Sequence, residues 1–165
     1  MCNLIGVVMP TSALQHELRQ RRPFQSPAHE ACVGLMRTTD LIRRQMAAVL
    51  EPHGLTLQQF NVLRILRGAG DEGLPTLEVA DRMIEQTPGV TRLLDRLETK
   101  ELVRRQRCPK DRRQHLCWIA PKGLALLQKL DALTSRAPEE SLKGLRPKDR
   151  ITFIRLLDAI RAAHQ

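Results

Sequence analysis

Pro75-Thr76-Leu77-Glu78-Val79-Ala80-Asp81-Arg82-Met83-Ile84-Glu85-Gln86-Thr87-Pro88-Gly89-Val90-Thr91-Arg92-Leu93-Leu94-Asp95-Arg96-Leu97 reads as two short helices joined by a tight turn. The first starts at Pro75 and Thr76 and runs through Leu77, Val79, Ala80 and Met83, with Ala80 small enough to let a second helix cross closely. Ile84, Glu85 and Gln86 make the turn. Thr87 is placed to N-cap the second helix, and Pro88 falls in its first turn, where a missing amide proton costs nothing. Val90, Leu93, Leu94 and Leu97 recur at helical spacing and face inward. Gln86, Thr87, Pro88, Gly89, Thr91 and Arg92 then form the outer, leading end, the part that enters a major groove in helix-turn-helix proteins. Gln pairs bidentately with adenine and Arg with guanine, the Thr methyl packs on the thymine methyl, and Gly89 lets the backbone approach the groove wall.

Downstream of Glu101, the runs Leu102 to Gln106 and Gln114 to Ile119 read as two strands joined over a polar tip that holds Pro109, Lys110, Asp111, Arg112 and Arg113. A ribbon with that tip cannot be core. It suits delivery of an arginine into the neighbouring minor groove, where narrow A·T-rich segments concentrate negative potential. Asp111 is an acid beside DNA, and its physical justification is a bidentate pair that orients one guanidinium.

Outside this centre the pattern is helical. Residues 1–27 are polar and rich in helix breakers, with Ser12 to Arg21 able to form one helix. Cys32, Leu35, Thr39, Ile42, Met46 and Val49 alternate at steps of three and four, the period of a helix buried along one stripe. Pro52 and Gly54 stop it, and Thr56 with Gln59 forms a capping-box signature ahead of Phe60, Leu63 and Leu66. Gly68, Gly70 and Gly73 break the chain again. Leu126, Leu130, Leu133 and Ala137 form a late stripe and Ile151, Ile154, Leu157 and Ile160 another, with Pro138, Gly144 and Pro147 between them. The terminal helices carry more apolar surface than a small central lobe can cover, which points to an isologous homodimer. The expected fold is mainly α with a small β-hairpin wing: an arm (1–27), a dimerisation helix (28–55), a winged helix-turn-helix lobe (56–120) and C-terminal dimerisation helices (121–165).

The chain has 165 residues and a formal net charge of +9, which favour one compact unit, or two small lobes, with a polyanionic partner. Tyrosine is absent, and Phe24, Phe60, Phe153 and Trp118 are the aromatic residues, which argues for duplex rather than single-stranded nucleic acid. Cys2, Cys32, Cys108 and Cys117 have neither zinc-finger spacing nor disulfide-scaffold density, so a reducing cytoplasm is expected. Neither an export signal nor a run of roughly 20 apolar residues is present, and no membrane partner is expected. No phosphate-gripping glycine loop, nucleophile elbow or spaced acid pair suggests an enzyme. No cofactor or metal is expected: His115 and Cys117 sit two apart on a strand, and His16, His29 and His53 are scattered.

From about Ala28 onward the sequence resembles the MarR family of winged helix-turn-helix regulators. The resemblance is carried by Val79-Ala80-Asp81-Arg82-Met83, Val90 to Glu98, Leu102-Val103-Arg104-Arg105 and Asp111-Arg112-Arg113. It implies a dimer built from first and last helices, a palindromic operator, and release from DNA by a small ligand, often phenolic or anionic. It makes Gln86 to Arg92 the reading end, Arg113 the minor-groove residue and Asp111 its orienter. Two positions depart from the pattern. Glu101 stands where family members usually have a glycine, so a left-handed cap there carries a side-chain penalty of roughly 1 kcal/mol. Ile84 replaces the usual glycine of the inter-helix turn. For the effector, Arg43, Arg44 and His53 are candidates to hold an anionic group. Cys32 matches the spacing of the reactive cysteine in the family's peroxide sensors, but without their tyrosines it is expected to be a buried structural thiol. A thiol switch at Cys32 and a sequence-tolerant architectural DNA binder are the alternative functions.

Overall fold

A computed structural model describes residues 12–85, 89–109, 111 and 114–164. Its elements are α1 (Ala13–Glu17), α2 (Pro27–Leu50), α3 (Leu57–Ala69), β1 (Leu74–Pro75), α4 (Thr76–Asp81), α5 (Val90–Thr99), β2 (Val103–Arg107), β3 (His115–Ile119), α6 (Pro121–Ser141) and α7 (Pro147–Ala162). The mainly helical class with a small antiparallel sheet is the one expected. The chain divides within α2 into two compact units, residues 1–43 and 44–165.

In the first unit, Ser12 caps α1 by accepting the Gln15 N–H. The helix expected as far as Arg21 stops at Glu17, because Arg19 takes a left-handed conformation (φ +50°) and the Arg19 and Gln20 amides fold back onto the carbonyls of His16 and Gln15. Arg37 Nε donates to Glu17 Oε1 at 2.7 Å and ties α1 to α2. The three-and-four spacing locates α2 correctly, but its stripe is not buried as expected. Cys32, Leu35 and Ile42 are exposed, and Leu50 is the buried residue of the helix. Periodicity specifies that one face is apolar; it does not require the cover to come from the same chain.

The second unit holds the core. Thr56 and Gln59 make both bonds of the capping box, and Phe60, Leu63 and Leu66 are buried as expected, with Val62 beside them. Val79 from α4, Met83 just beyond its end, Val90, Leu94 and Leu97 from α5, and Leu127 and Leu130 from α6 join the same cluster. Beyond α3 the chain reverses at Gly73 (φ +71°), where an added Cβ would stand 2.4 Å from the Trp118 ring. Trp118 Nε1 donates to the Asp71 carbonyl at 2.9 Å and holds that ring in place.

The expected two-strand ribbon is in fact a three-stranded antiparallel sheet in the order β1-β3-β2. Leu74 pairs with Cys117 and Pro75 with Leu116, so Pro75 belongs to a strand and the helix begins one residue later, at Thr76. Proline fits an edge strand because its missing N–H faces away from the ladder. In the hairpin proper, Val103 pairs with Ile119 and Arg107 with His115.

The end of α5 is a Schellman cap. The Leu102 N–H reaches the Leu97 carbonyl at 2.9 Å and the Glu101 N–H reaches the Glu98 carbonyl at 2.8 Å, with Glu101 left-handed (φ +59°). Leu97 and Leu102 are both buried, which supplies the motif's apolar contact. Glu101 holds the glycine position of this motif against a Cβ penalty of about 1 kcal/mol. Glu101→Gly is therefore expected to raise the melting temperature by about 2 to 4 °C, read by calorimetry. A fall would show that the Lys122–Glu101 contact (2.8 Å) outweighs the backbone strain. Hydrogen bonding from Lys122 holds the Glu101 carboxyl below its ordinary value. Any contribution from the pair is thus present above that value and fades as pH falls through the lowered one.

Pro138, expected to lie between two helices, instead sits inside α6, which continues to Ser141. The late stripe is also rotated from the one expected: Gly123, Leu127 and Leu130 are buried, whereas Leu133 is 44% exposed. α7 buries no residue; Ile151, Ile154, Leu156 and Ile160 are each at least 50% exposed.

Candidate nucleic-acid interface

The amphipathic pattern of α5 decides which face is available. Val90, Leu94 and Leu97 are buried and Leu93 is half-buried, so the opposite side carries Thr91 and Arg92 into solvent. The helix begins at Val90, later than a cap at Thr87 would give, because Gly89 occupies the N-cap position with φ +102°. Gly89, Thr91 and Arg92 are thus exposed together at the leading end. Gln86, Thr87 and Pro88 lie outside the described residues.

Two bonds fix the turn before this helix, and the sequence reading did not anticipate either. Asn61 Oδ1 accepts the Ile84 N–H at 2.9 Å, and Gln58 Nε2 donates to Glu85 Oε2 at 3.2 Å. Both side chains come from α3, so the turn is anchored to the core helix without a glycine at Ile84. Ile84 itself is 86% exposed. The signal was available in part: Gln58 and Asn61 are three apart, on one edge of a helix.

A second unanticipated residue joins α5 to the wing. Arg105 on β2 donates through Nε to Glu98 Oε2 at 2.9 Å and through Nη2 to the same oxygen at 2.6 Å and to Asp95 Oδ1 at 2.5 Å. Its backbone N–H reaches Glu98 Oε1 at 3.2 Å. Burial alone would lower the Arg105 pKa, but the hydrogen bonds to Glu98 and Asp95 outweigh it and raise the value. α5 and β2 are therefore tied together by a half-buried, multiply bonded guanidinium. Arg104, its neighbour, faces the other way and lies 4.5 Å over the Trp118 ring.

At the wing tip, the Cys108 N–H donates to the Gln114 carbonyl at 2.9 Å and the Gln114 N–H to the Asp111 carbonyl at 3.0 Å. Asp111 is half-buried inside this turn. Lys110, Arg112 and Arg113 lie outside the described residues. Cys32, expected to be buried, is exposed, because the stripe it shares with Leu35 and Ile42 is uncovered. Among the described residues the buried thiol is Cys117, whose pKa burial pushes up. Of the effector candidates, Arg43 is half-buried, and Arg44 and His53 are exposed. Among the described residues no cluster of His, Cys, Asp or Glu could hold a metal, and no helix is long and apolar enough to cross a membrane.

The MarR family model matches residues 55–115, the stretch from the start of α3 into the wing. The HTH-type transcriptional regulator MhqR of Bacillus subtilis (strain 168) is 34% identical over 93 residues, 56% of this chain. The chain spans 63% of MhqR's own length, less than two thirds. A MarR transcription factor from Planctomyces limnophilus, known as a crystal structure, is 35% identical with a TM-score of 0.65, over 83% of this chain and 99% of its own. BpsR of Bordetella bronchiseptica, in a structure concerned with regulation of its DNA binding by 6-hydroxynicotinic acid, is 25% identical with a TM-score of 0.72, over 80% and 98% of the two chains. With the anchored turn, the capped α5, the braced wing and a 35%-identical structure covered almost end to end, the chain belongs to the MarR family.

Proposed function

We propose that the protein is a dimeric, sequence-specific DNA-binding transcriptional regulator, a repressor released from a palindromic operator by a small ligand. The observation that carries this reading is the leading end of α5. Gly89, Thr91 and Arg92 are exposed there on a helix whose other face is fixed in the core and whose far end is tied to the wing by Arg105. Rigid presentation of a few polar side chains is what major-groove reading needs. The activity is binding rather than catalysis, at work in the cytoplasm on double-stranded DNA.

The dimer reading rests on the exposed apolar residues of α6 and α7, among them Leu133, Ile151, Ile154 and Ile160, and on Leu35 and Ile42 of α2. Isologous pairing of these faces would cover them and set two reading helices about 34 Å apart, one duplex turn. In this scheme residues 28–55 and 121–165 serve dimerisation and residues 56–120 serve DNA. Ligand release is supported by BpsR, whose DNA binding 6-hydroxynicotinic acid regulates.

In the wing, Arg113 is assigned to the minor groove and Asp111 to orienting it, with Lys110 and Arg112 on phosphates. Arg113→Ala is expected to weaken operator binding by about 1 to 3 kcal/mol in a fluorescence-anisotropy titration. Asp111→Ala should weaken it by a similar amount although it removes a negative charge beside DNA. Tighter binding by that variant would sink the orienting role.

A further inference from the structure

Where α4 ends at Asp81, each following backbone amide must find a partner of its own. The Arg82 N–H returns to the Glu78 carbonyl at 3.1 Å and the Met83 N–H to the Ala80 carbonyl at 3.2 Å, with the Met83 side chain in the core. Ile84 is the first amide to leave α4, and it donates to Asn61 Oδ1 at 2.9 Å. One residue on, Glu85 Oε2 accepts Gln58 Nε2 at 3.2 Å. Three successive residues are thus held from the core or from α3. None of them uses a left-handed backbone: among the described non-glycine residues, Arg19 and Glu101 have positive φ. What a glycine would supply at Ile84 through backbone freedom is supplied by a side-chain acceptor.

α3 packs against both α4 and α5, so it is the common base of the two helices and the turn. Apolar packing holds helices together without fixing their register, because it has no direction. A hydrogen bond to one named amide has direction and a narrow range of length. Reading a base edge tolerates an error of about 0.5 Å. Gripping phosphate is less exacting, since it fixes orientation but carries no sequence information. Asn61 is half-buried, so water can replace its oxygen at the Ile84 amide when the side chain is removed. Loss of the bond therefore costs placement more than stability.

We propose that Asn61 is a positioning residue for sequence reading. By accepting the Ile84 amide it sets the register of the turn, and through the turn that of the leading end of α5, where Gly89, Thr91 and Arg92 are exposed. Removing it costs discrimination between DNA sequences rather than grip on DNA. Gln58, through Glu85, makes the second hold on the same turn. The Asn61 bond stands by itself; its consequence for DNA rests on the regulator reading above.

The test compares wild-type protein with Asn61→Ala, which removes the acceptor while favouring the helix, and with Asn61→Asp, which keeps an acceptor at the same reach. In the free protein, NMR should show the Ile84 amide exchanging at least about tenfold faster in Asn61→Ala and within about twofold of wild type in Asn61→Asp. Melting temperatures should stay within about 3 °C of wild type. Affinity is then measured at one salt concentration for the selected inverted repeat and for an unrelated duplex of the same length. Asn61→Ala should lower the ratio of the two at least about tenfold while the unrelated duplex is bound within about twofold of wild type. Asn61→Asp should keep the ratio, because its added charge acts on both duplexes alike. The assignment is overturned if Ile84 exchange ignores Asn61→Ala, if Asn61→Asp loses the ratio as alanine does, or if melting falls by more than about 5 °C, which would make Asn61 a prop of the fold. Wild-type protein that binds every duplex alike removes the regulator reading and this role together; wild-type preference that survives Asn61→Ala removes this role alone.

Discussion

Gly123→Ala is expected to destabilise the protein by about 1 to 3 kcal/mol or more, as a lowered denaturant midpoint at fixed protein concentration. Helix propensity taken alone predicts the opposite, a gain of about 1 kcal/mol for alanine within α6. Packing wins because a Cβ at this position would lie 2.3 Å from the Leu102 carbonyl oxygen and 2.9 Å from Ile119 Cγ1. The Leu102 oxygen is fixed backbone: it accepts the Ala120 N–H at 2.9 Å, and the Leu102 N–H closes the Schellman cap on Leu97. Relief of the clash must therefore move either the start of α6 or the end of α5. A stabilised Gly123→Ala variant would mean that α6 does not enter against the α5 cap in this way.

Leu97→Ala is expected to cost about 2 to 5 kcal/mol, the range for a fully enclosed leucine whose cavity cannot collapse. Leu97 has no exposed surface, sits on the inner face of α5, and supplies the carbonyl that receives the Leu102 N–H. Against a total stability of about 5 to 15 kcal/mol, the loss is a large fraction of what holds the domain together. Equilibrium urea unfolding checks it. A loss below about 1 kcal/mol would show that the α3–α5 core tolerates repacking and does not hold α5 rigidly.

The two variants probe opposite ends of one argument about legibility. Leu97 was readable because helical spacing and enclosure within a single lobe coincide, and the Thr56–Gln59 box was readable because its chemistry is local. Glu101 was readable in the same way: a left-handed cap after α5 imposes its conformation even on a residue with a Cβ. Gly123 was not, because its constraint comes from a carbonyl distant in sequence. The same holds for β1, where two residues carry no alternation and pair only through Leu116 and Cys117. It also holds for Arg105, which in the sequence is one basic residue among several and becomes a brace only when Asp95 and Glu98 are brought to it. The Cys32 stripe shows the converse error: a correct period was taken to imply burial within the chain. Of the candidate site, Thr91 and Arg92 follow from the pattern of α5, whereas the start of that helix depended on the conformation of Gly89, which glycine's freedom leaves unspecified in sequence.

The central claim, that the leading end of α5 reads DNA sequence as part of a dimer, is tested most directly by selection of binding sites from random duplex DNA with the purified protein, followed by affinity measurements at several salt concentrations. The account predicts an enriched inverted repeat with half-sites about one helical turn apart, preferred over unrelated duplex by at least about a thousandfold. Arg92→Ala should relax the preference at one position of each half-site. Tight, steeply salt-dependent binding with no enriched sequence would contradict it, leaving a basic protein that grips phosphate without reading bases.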